Sequence, residues 1–101
     1  MSISELTIIR PDDWHLHVRD GEMLKMVVPY SSRVCGRAII MPNLVPPVAS
    51  LDRVTSYRQR ILDAVPEGQT FEPMMTLYLT ETLTPEEVRR SVESGLVKAV
   101  K

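Results

Sequence analysis

The stretch Arg37-Ala38-Ile39-Ile40-Met41 decides the fold class, because its four consecutive apolar residues run directly into a proline. A strand with one exposed face alternates apolar and polar residues, whereas a continuous apolar run is typical of a strand buried on both faces, as in parallel sheets. Further strands are predicted at Leu6–Ile9, Trp14–Val18, Phe71–Leu79 and Leu96–Val100. The sequence therefore favours a sheet with a buried centre.

Helices are predicted between the strands. The first begins at Gly21, and we expect Pro29 to disturb its end. The second covers Leu51–Val65 behind the N-cap residue Ser50, and the third begins with a capping box over Thr84–Glu87. Strands that alternate with helices in this way predict an α/β fold with parallel strands and helices packed outside the sheet.

Composition and length exclude several classes of protein. The chain has 101 residues, a formal net charge of −1, 44% hydrophobic and 25% charged residues, which is globular composition without the basic excess of a bulk nucleic-acid binder. Its longest apolar stretch, Ala38–Met41, is far below the roughly 20 residues of a membrane span. The start of the sequence lacks a signal-peptide pattern and Cys35 has no second cysteine to pair with, so we expect a cytoplasmic protein.

The predicted elements also suggest an incomplete domain. The fourth strand stops at Lys101 with no helix after it, and a (β/α)8 barrel needs roughly 200–250 residues. We expect residues 1–101 to be the N-terminal part of one longer domain. The alternative is a complete small α/β protein with four strands.

His15 and His17 form the clearest local motif. Residues i and i+2 of a strand point to the same face, so the two imidazoles can converge on one cation such as Zn2+. The carboxyl ends of parallel strands carry the functional sites of α/β folds, and these histidines lie late in the predicted strand. The alternative is an ordinary polar pair at a strand edge.

Three other residues are candidates for the same edge. Arg19 would face the same way as the histidines if the strand continued, and a guanidinium suits bidentate binding of a carboxylate. Asn43 follows the second strand with an amide that both donates and accepts hydrogen bonds. Lys101 ends the fourth strand, and a buried lysine there could form a Schiff base or a carbamate with CO2. A surface arginine, a turn asparagine and a solvated lysine are the alternatives.

Several segments together resemble bacterial dihydroorotases of the shorter, stand-alone type (class II), within the amidohydrolase superfamily. The segments that carry the resemblance are Arg10-Pro-Asp-Asp-Trp-His-Leu-His-Val-Arg-Asp-Gly21, Val28-Pro-Tyr30, Gly36-Arg-Ala-Ile-Ile-Met-Pro-Asn43, Pro46-Pro47, Tyr57-Arg-Gln-Arg-Ile-Leu-Asp-Ala-Val-Pro66 and the strand before Lys101. This resemblance covers nearly the whole chain and is far more specific than the His-X-His motif alone.

The resemblance implies a (β/α)8 TIM barrel, two zinc ions per subunit, a homodimer, and reversible cyclisation of N-carbamoyl-L-aspartate to L-dihydroorotate in pyrimidine biosynthesis. It implies that His15 and His17 are metal ligands and that Lys101, as N6-carboxylysine, bridges both metals. Arg19 and Asn43 would hold the substrate carboxylate. The general acid/base aspartate is expected beyond residue 101, so no catalytic residue is expected within this segment.

Two other functions remain open at this stage. One is another cyclic-amide hydrolase of the superfamily, such as a hydantoinase or allantoinase, although Arg19 and Asn43 favour a substrate that carries a carboxylate. The other is a dihydroorotase-like protein that binds no metal and acts as a structural partner of another enzyme. The presence of the two histidines and Lys101 argues against it. A small-molecule substrate is expected, with no nucleic-acid or membrane partner.

Overall fold

Four parallel strands form one sheet in the order β1-β2-β3-β4, and a helix follows each of the first three strands. The computed structural model describes residue 2 and residues 4–101. The elements are β1 (Asp12–Leu16), α1 (Gly21–Val34), β2 (Arg37–Ile40), α2 (Leu51–Ala64), β3 (Glu72–Leu77), α3 (Pro85–Glu93) and β4 (Val97–Val100). The predicted α/β alternation is confirmed. The predicted bounds of the four strands of the sheet and of α2 agree with these to within two residues.

Burial is greatest in the middle of the sheet. All residues of β3 after Glu72 are buried, whereas β4 buries only Val97 and β1 has no fully buried residue. The continuous apolar run does form β2, but only one of its faces is fully buried: Ala38 and Ile40 are 0% and 1% exposed, whereas Ile39 on the other face is partly exposed. The chain therefore has a core between sheet and helices and two lateral strands with open edges.

The core is formed by the inner faces of α1 and α2 against the sheet. It contains Val18, Leu24, Val28, Ala38, Ile40, Val48, Val54, Tyr57, Ile61, Phe71, Met75, Leu77 and Val97. Burial of large aliphatic and aromatic side chains of this kind supplies most of the stability of such a layer, at about 1.5–3 kcal/mol for each fully buried side chain. None of the described helices is long and apolar enough to cross a membrane.

The strand predicted at Leu6–Ile9 is wrong. This segment is irregular and its apolar side chains are exposed, with Ile9 at 94%. An apolar run becomes a strand only when a neighbouring strand accepts its backbone hydrogen bonds. The described residues place no strand beside Leu6–Ile9.

The helix signals are confirmed with two corrections. Pro29 does not end α1, which continues for five residues to Val34. Thr84 caps α3 by accepting a hydrogen bond from the Glu87 N–H at 3.2 Å, as predicted. The Glu87 carboxylate, however, accepts a hydrogen bond from the Leu51 N–H at 2.7 Å rather than returning to Thr84. It satisfies an otherwise unpaired donor at the start of α2, so that α2 and α3 are joined at their N-termini.

Candidate functional site

The predicted site residues lie at the edge of the sheet formed by the carboxyl ends of the strands. His15 is in β1 and His17 is the first residue beyond it. Asn43 lies three residues after β2, and Lys101 directly follows β4. Because all four strands are parallel, these ends share one edge of the sheet, where α/β folds place their functional residues.

The two histidines converge. Their Nε2 atoms are 3.0 Å apart and their ring centroids are 5.0 Å apart. His15 is held by its backbone, because its N–H donates a hydrogen bond of 2.9 Å to the Asp13 carboxylate. Two nitrogen ligands at about 2.0–2.1 Å from a tetrahedral zinc lie roughly 3.3 Å from each other, so this pair has the spacing of a two-ligand chelate.

The backbone at Arg19 differs from the extended strand that was predicted. The strand does not continue to it, since β1 ends at Leu16 and Arg19 has a φ of +56°, in the left-handed region. The backbone therefore turns sharply between the histidines and α1. The Arg19 side chain is exposed, and its positive charge contributes to lowering the pKa of His17.

Asn43 and Lys101 are in direct contact. The Lys101 Nζ donates a hydrogen bond of 2.8 Å to the Asn43 Oδ1, across 58 residues of sequence. The backbone of Lys101 is also fixed, because its N–H donates to Leu77 O at 2.8 Å and its carbonyl accepts from Leu79 N at 2.7 Å. Its side chain is exposed, so the described residues do not provide the burial that a carbamate or Schiff base at Lys101 would require.

The electrostatics of this edge favour a neutral imidazole at His17. Burial lowers the pKa of His17, and the positive charges of Arg19, Lys101 and His15 lower it further. A metal ion binds the neutral form of histidine, because the protonated ring has no free lone pair. Burial and the neighbouring cations therefore both favour the form of His17 that can bind a metal ion.

Comparison with known proteins finds similar sequences under one name. No protein-family model matches the chain. The chain is 60% identical over 96 residues to dihydroorotase of Cronobacter sakazakii and 65% identical over 96 residues to dihydroorotase of Ruegeria sp. (strain TM1040), in both cases across 95% of its own length. The chain is therefore similar to dihydroorotases over nearly its whole length. It spans only about a quarter of these relatives, 28% of each.

Solved dihydroorotase structures share the fold. The crystal structure of the enzyme from Campylobacter jejuni superposes with a TM-score of 0.81 at 34% identity, over 90% of this chain and 26% of that one. The enzyme from Saccharomyces cerevisiae, solved in complex with 5-fluoroorotic acid, gives a TM-score of 0.78 at 35% identity, over 89% and 24% of the two chains. The four strands and three helices of this chain therefore match one region of the dihydroorotase barrel, which confirms the predicted fold class.

The side chains described here provide some, but not all, of the ligands that a metal site needs. Two convergent imidazoles supply two nitrogen ligands, and Lys101 lies at the same edge. Within residues 2 and 4–101 there is no group of three or more His, Cys, Asp or Glu side chains that could hold a metal ion. A zinc site needs at least three protein ligands, so the residues described here would form one side of it.

Two residues near the site were missed by sequence reasoning. Tyr57 is 1% exposed, and Arg60 pairs with the carboxylate of Asp20 at 2.9 Å. Tyr57 could have been found, because it lies three residues after Val54 and four before Ile61 on the apolar face of α2. Nothing local marks Arg60, since its partner is 40 residues away.

Proposed function

We propose that this chain is the N-terminal part of one barrel domain of a zinc-dependent dihydroorotase. The complete enzyme would interconvert N-carbamoyl-L-aspartate and L-dihydroorotate in pyrimidine biosynthesis. The observation that carries the proposal is the meeting of the His15–His17 pair and the Asn43–Lys101 pair at one sheet edge, in a chain 60–65% identical to dihydroorotases. We further propose that the complete protein is cytoplasmic and a homodimer, the latter to be checked by sedimentation.

In this proposal His15 and His17 bind one metal ion through their Nε2 atoms. The 3.0 Å separation of these atoms and the lowered pKa of His17 support the role. Lys101 would bridge two metal ions as N6-carboxylysine. The ammonium group first loses one proton, and the free amine nitrogen then bonds the carbon of CO2 and loses a second. A cation thereby becomes an anion with two ligand oxygens.

The substrate carboxylate would be bound by Arg19 and Asn43. A guanidinium binds a carboxylate through two parallel hydrogen bonds, and the asparagine amide adds a third donor. Both residues would lie next to the proposed metal ligands, so binding of the carboxylate would fix the position of the reacting carbon relative to those ligands. When bound, zinc supplies a polarised carbonyl and a water of lowered pKa at neutral pH. Ring opening adds one water across the C–N bond, and ring closure releases it.

Substrate preference tests the proposal. The complete protein should hydrolyse dihydroorotate, with hydantoin and allantoin turned over at least about 100-fold more slowly because neither carries the carboxylate that Arg19 would bind. Arg19→Gln should raise the KM for dihydroorotate, and Arg89→Gln, an exposed arginine on α3, serves as the control. Preferential hydrolysis of hydantoin would contradict the proposal. A complete protein that retains no zinc and turns over none of these compounds would instead support a structural role.

A further inference from the structure

The backbone at Arg19 adopts a conformation that its residue type disfavours. Arg19 is the only non-glycine residue with a positive φ in the described part of the chain, at +56°, and Gly21 two positions later is at +58°. A side chain with a Cβ atom occupies the left-handed region only when its surroundings hold it there. The segment between the histidine pair and α1 must therefore be fixed by contacts from another element.

Those contacts come from α2. The hydroxyl of Tyr57 donates a hydrogen bond of 2.6 Å to the carbonyl oxygen of Arg19, across 38 residues of sequence. Burial raises the pKa of the Tyr57 phenol, so its proton is retained at neutral pH and the group stays a donor. Because the tyrosine ring is packed in the core at 1% exposure, the hydroxyl is a rigid anchor rather than a mobile surface group.

A second contact holds the next residue. The Asp20 carboxylate accepts hydrogen bonds from Arg60 Nε at 2.9 Å and from the second terminal nitrogen at 3.1 Å. It also accepts a hydrogen bond from the Gly21 N–H at 2.9 Å and so caps α1. The Arg60 guanidinium lies over the Tyr57 ring at 5.4 Å from its centroid. Tyr57 and Arg60 thus form one unit on α2, which we call the α2 anchor.

We propose that Tyr57, supported by Arg60, is a positioning residue that sets the backbone of Arg19 so that its guanidinium is aimed at the substrate carboxylate. This inference rests on the proposed function, which assigns the carboxylate to Arg19. The α2 anchor touches only the backbone of this segment and the Asp20 side chain, so it acts through Arg19 and not on the substrate. A guanidinium held in place before binding loses less conformational freedom when the substrate arrives.

The test is Tyr57→Phe in the complete protein, with Tyr30→Phe as the matched control. Tyr57→Phe removes one oxygen and leaves the ring in the core, whereas Tyr30 is 68% exposed on α1. We expect Tyr57→Phe to raise the KM for dihydroorotate about fivefold to tenfold, the equivalent of one hydrogen bond, with kcat within about twofold. Tyr30→Phe should leave both constants unchanged. Should Tyr57→Phe fail to fold, Arg60→Met, which removes the guanidinium and keeps an unbranched apolar side chain, should also raise KM.

A double variant separates positioning from a structural role. If Tyr57 acts through Arg19, adding Tyr57→Phe to Arg19→Gln should change kcat/KM no further, whereas a general loss of folded protein would add to it. A KM within twofold of wild type in both α2-anchor variants, beside a clearly impaired Arg19→Gln, would overturn the inference and leave the proposed function intact. A wild-type KM in Arg19→Gln would remove the carboxylate role of Arg19 and overturn both.

Discussion

Replacement of Asp20 by alanine removes two interactions at once from the turn that joins the histidine pair to α1. One is the cap, in which the carboxylate accepts a hydrogen bond of 2.9 Å from the Gly21 N–H. Loss of such a cap costs about 1 kcal/mol. The other is the ion pair with Arg60, in which two nitrogens contact the carboxylate. The side chains of Arg60 and Asp20 are 44% and 43% exposed, so solvent screening limits the contribution of this pair to about 0.5–1 kcal/mol. We therefore expect Asp20→Ala to lower the free energy of unfolding by about 1.5–2 kcal/mol.

Asp20→Asn separates the two contributions. The amide oxygen of asparagine still caps a helix, so only the ion pair is lost and the expected cost is about 0.5–1 kcal/mol. Asp63→Ala is the matched control, because Asp63 is an exposed carboxylate on α2 that accepts a hydrogen bond only from Gln59 of the same helix. Its cost should stay below about 0.5 kcal/mol. Urea denaturation of the complete protein, followed by circular dichroism, measures all three.

The pH dependence of the same variants gives an independent check. Burial raises the pKa of Asp20, but the hydrogen bonds from Arg60 and Gly21 and the charge of Arg60 lower it by more, so the net shift is downward from 3.8. A carboxyl whose pKa is lower in the folded state stabilises the fold above its unfolded pKa and loses that contribution as the pH falls through the folded value. The difference in the free energy of unfolding between wild type and Asp20→Asn should be largest near pH 7 and should decrease below pH 3.8. Equal free energies of unfolding for wild type and Asp20→Ala at pH 7 would refute the reasoning. A difference in that free energy between wild type and Asp20→Asn that stays the same in acid would also refute it.

Three further predictions concern the metal ligands and the core. His15→Ala and His17→Ala should each weaken zinc binding at least about 100-fold, measured by equilibrium dialysis, and wild-type zinc content in either would contradict their role as ligands. Lys101→Ala should lower both zinc content and dihydroorotate turnover, the latter at least about 100-fold, while Lys98→Ala on the same strand should change neither. In urea denaturation, Ile61→Ala should lower the free energy of unfolding by about 3 kcal/mol and Ile61→Val by about 1 kcal/mol, because the Ile61 side chain is 0% exposed. Equal losses in the two variants would show that this site is not tightly packed.

The sequence predicted the parallel sheet because its signals are local. The apolar run in β2, the cap at Ser50 and the cap at Thr84 depend on neighbours within a few residues, and the structure confirms all three. Leu6–Ile9 failed because a strand requires a partner that the segment itself cannot supply. The same limit applied to Glu87, whose carboxylate caps a helix 36 residues earlier in the chain.

The sequence predicted the convergence of the two histidines but not the backbone turn that follows them. The spacing of His15 and His17 correctly indicated that their side chains converge. The turn at Arg19 could not be predicted, because a positive φ at an arginine is set by Tyr57 and Arg60 on another helix and not by local propensity. The role of Arg60 could not be predicted either, since its ion pair with Asp20 joins residues 40 apart. Contacts distant in sequence were therefore the ones that single-residue patterns missed.

The rate of dihydroorotate hydrolysis by the complete protein, measured with and without prior incubation with a chelator, tests the central claim most directly. We expect the chelator to abolish turnover and added zinc to restore it, because His15 and His17 would hold an exchangeable metal. Turnover that the chelator leaves unchanged while it strips the zinc would contradict the metal role of these residues. No turnover by the complete, zinc-loaded protein would contradict the proposed activity itself.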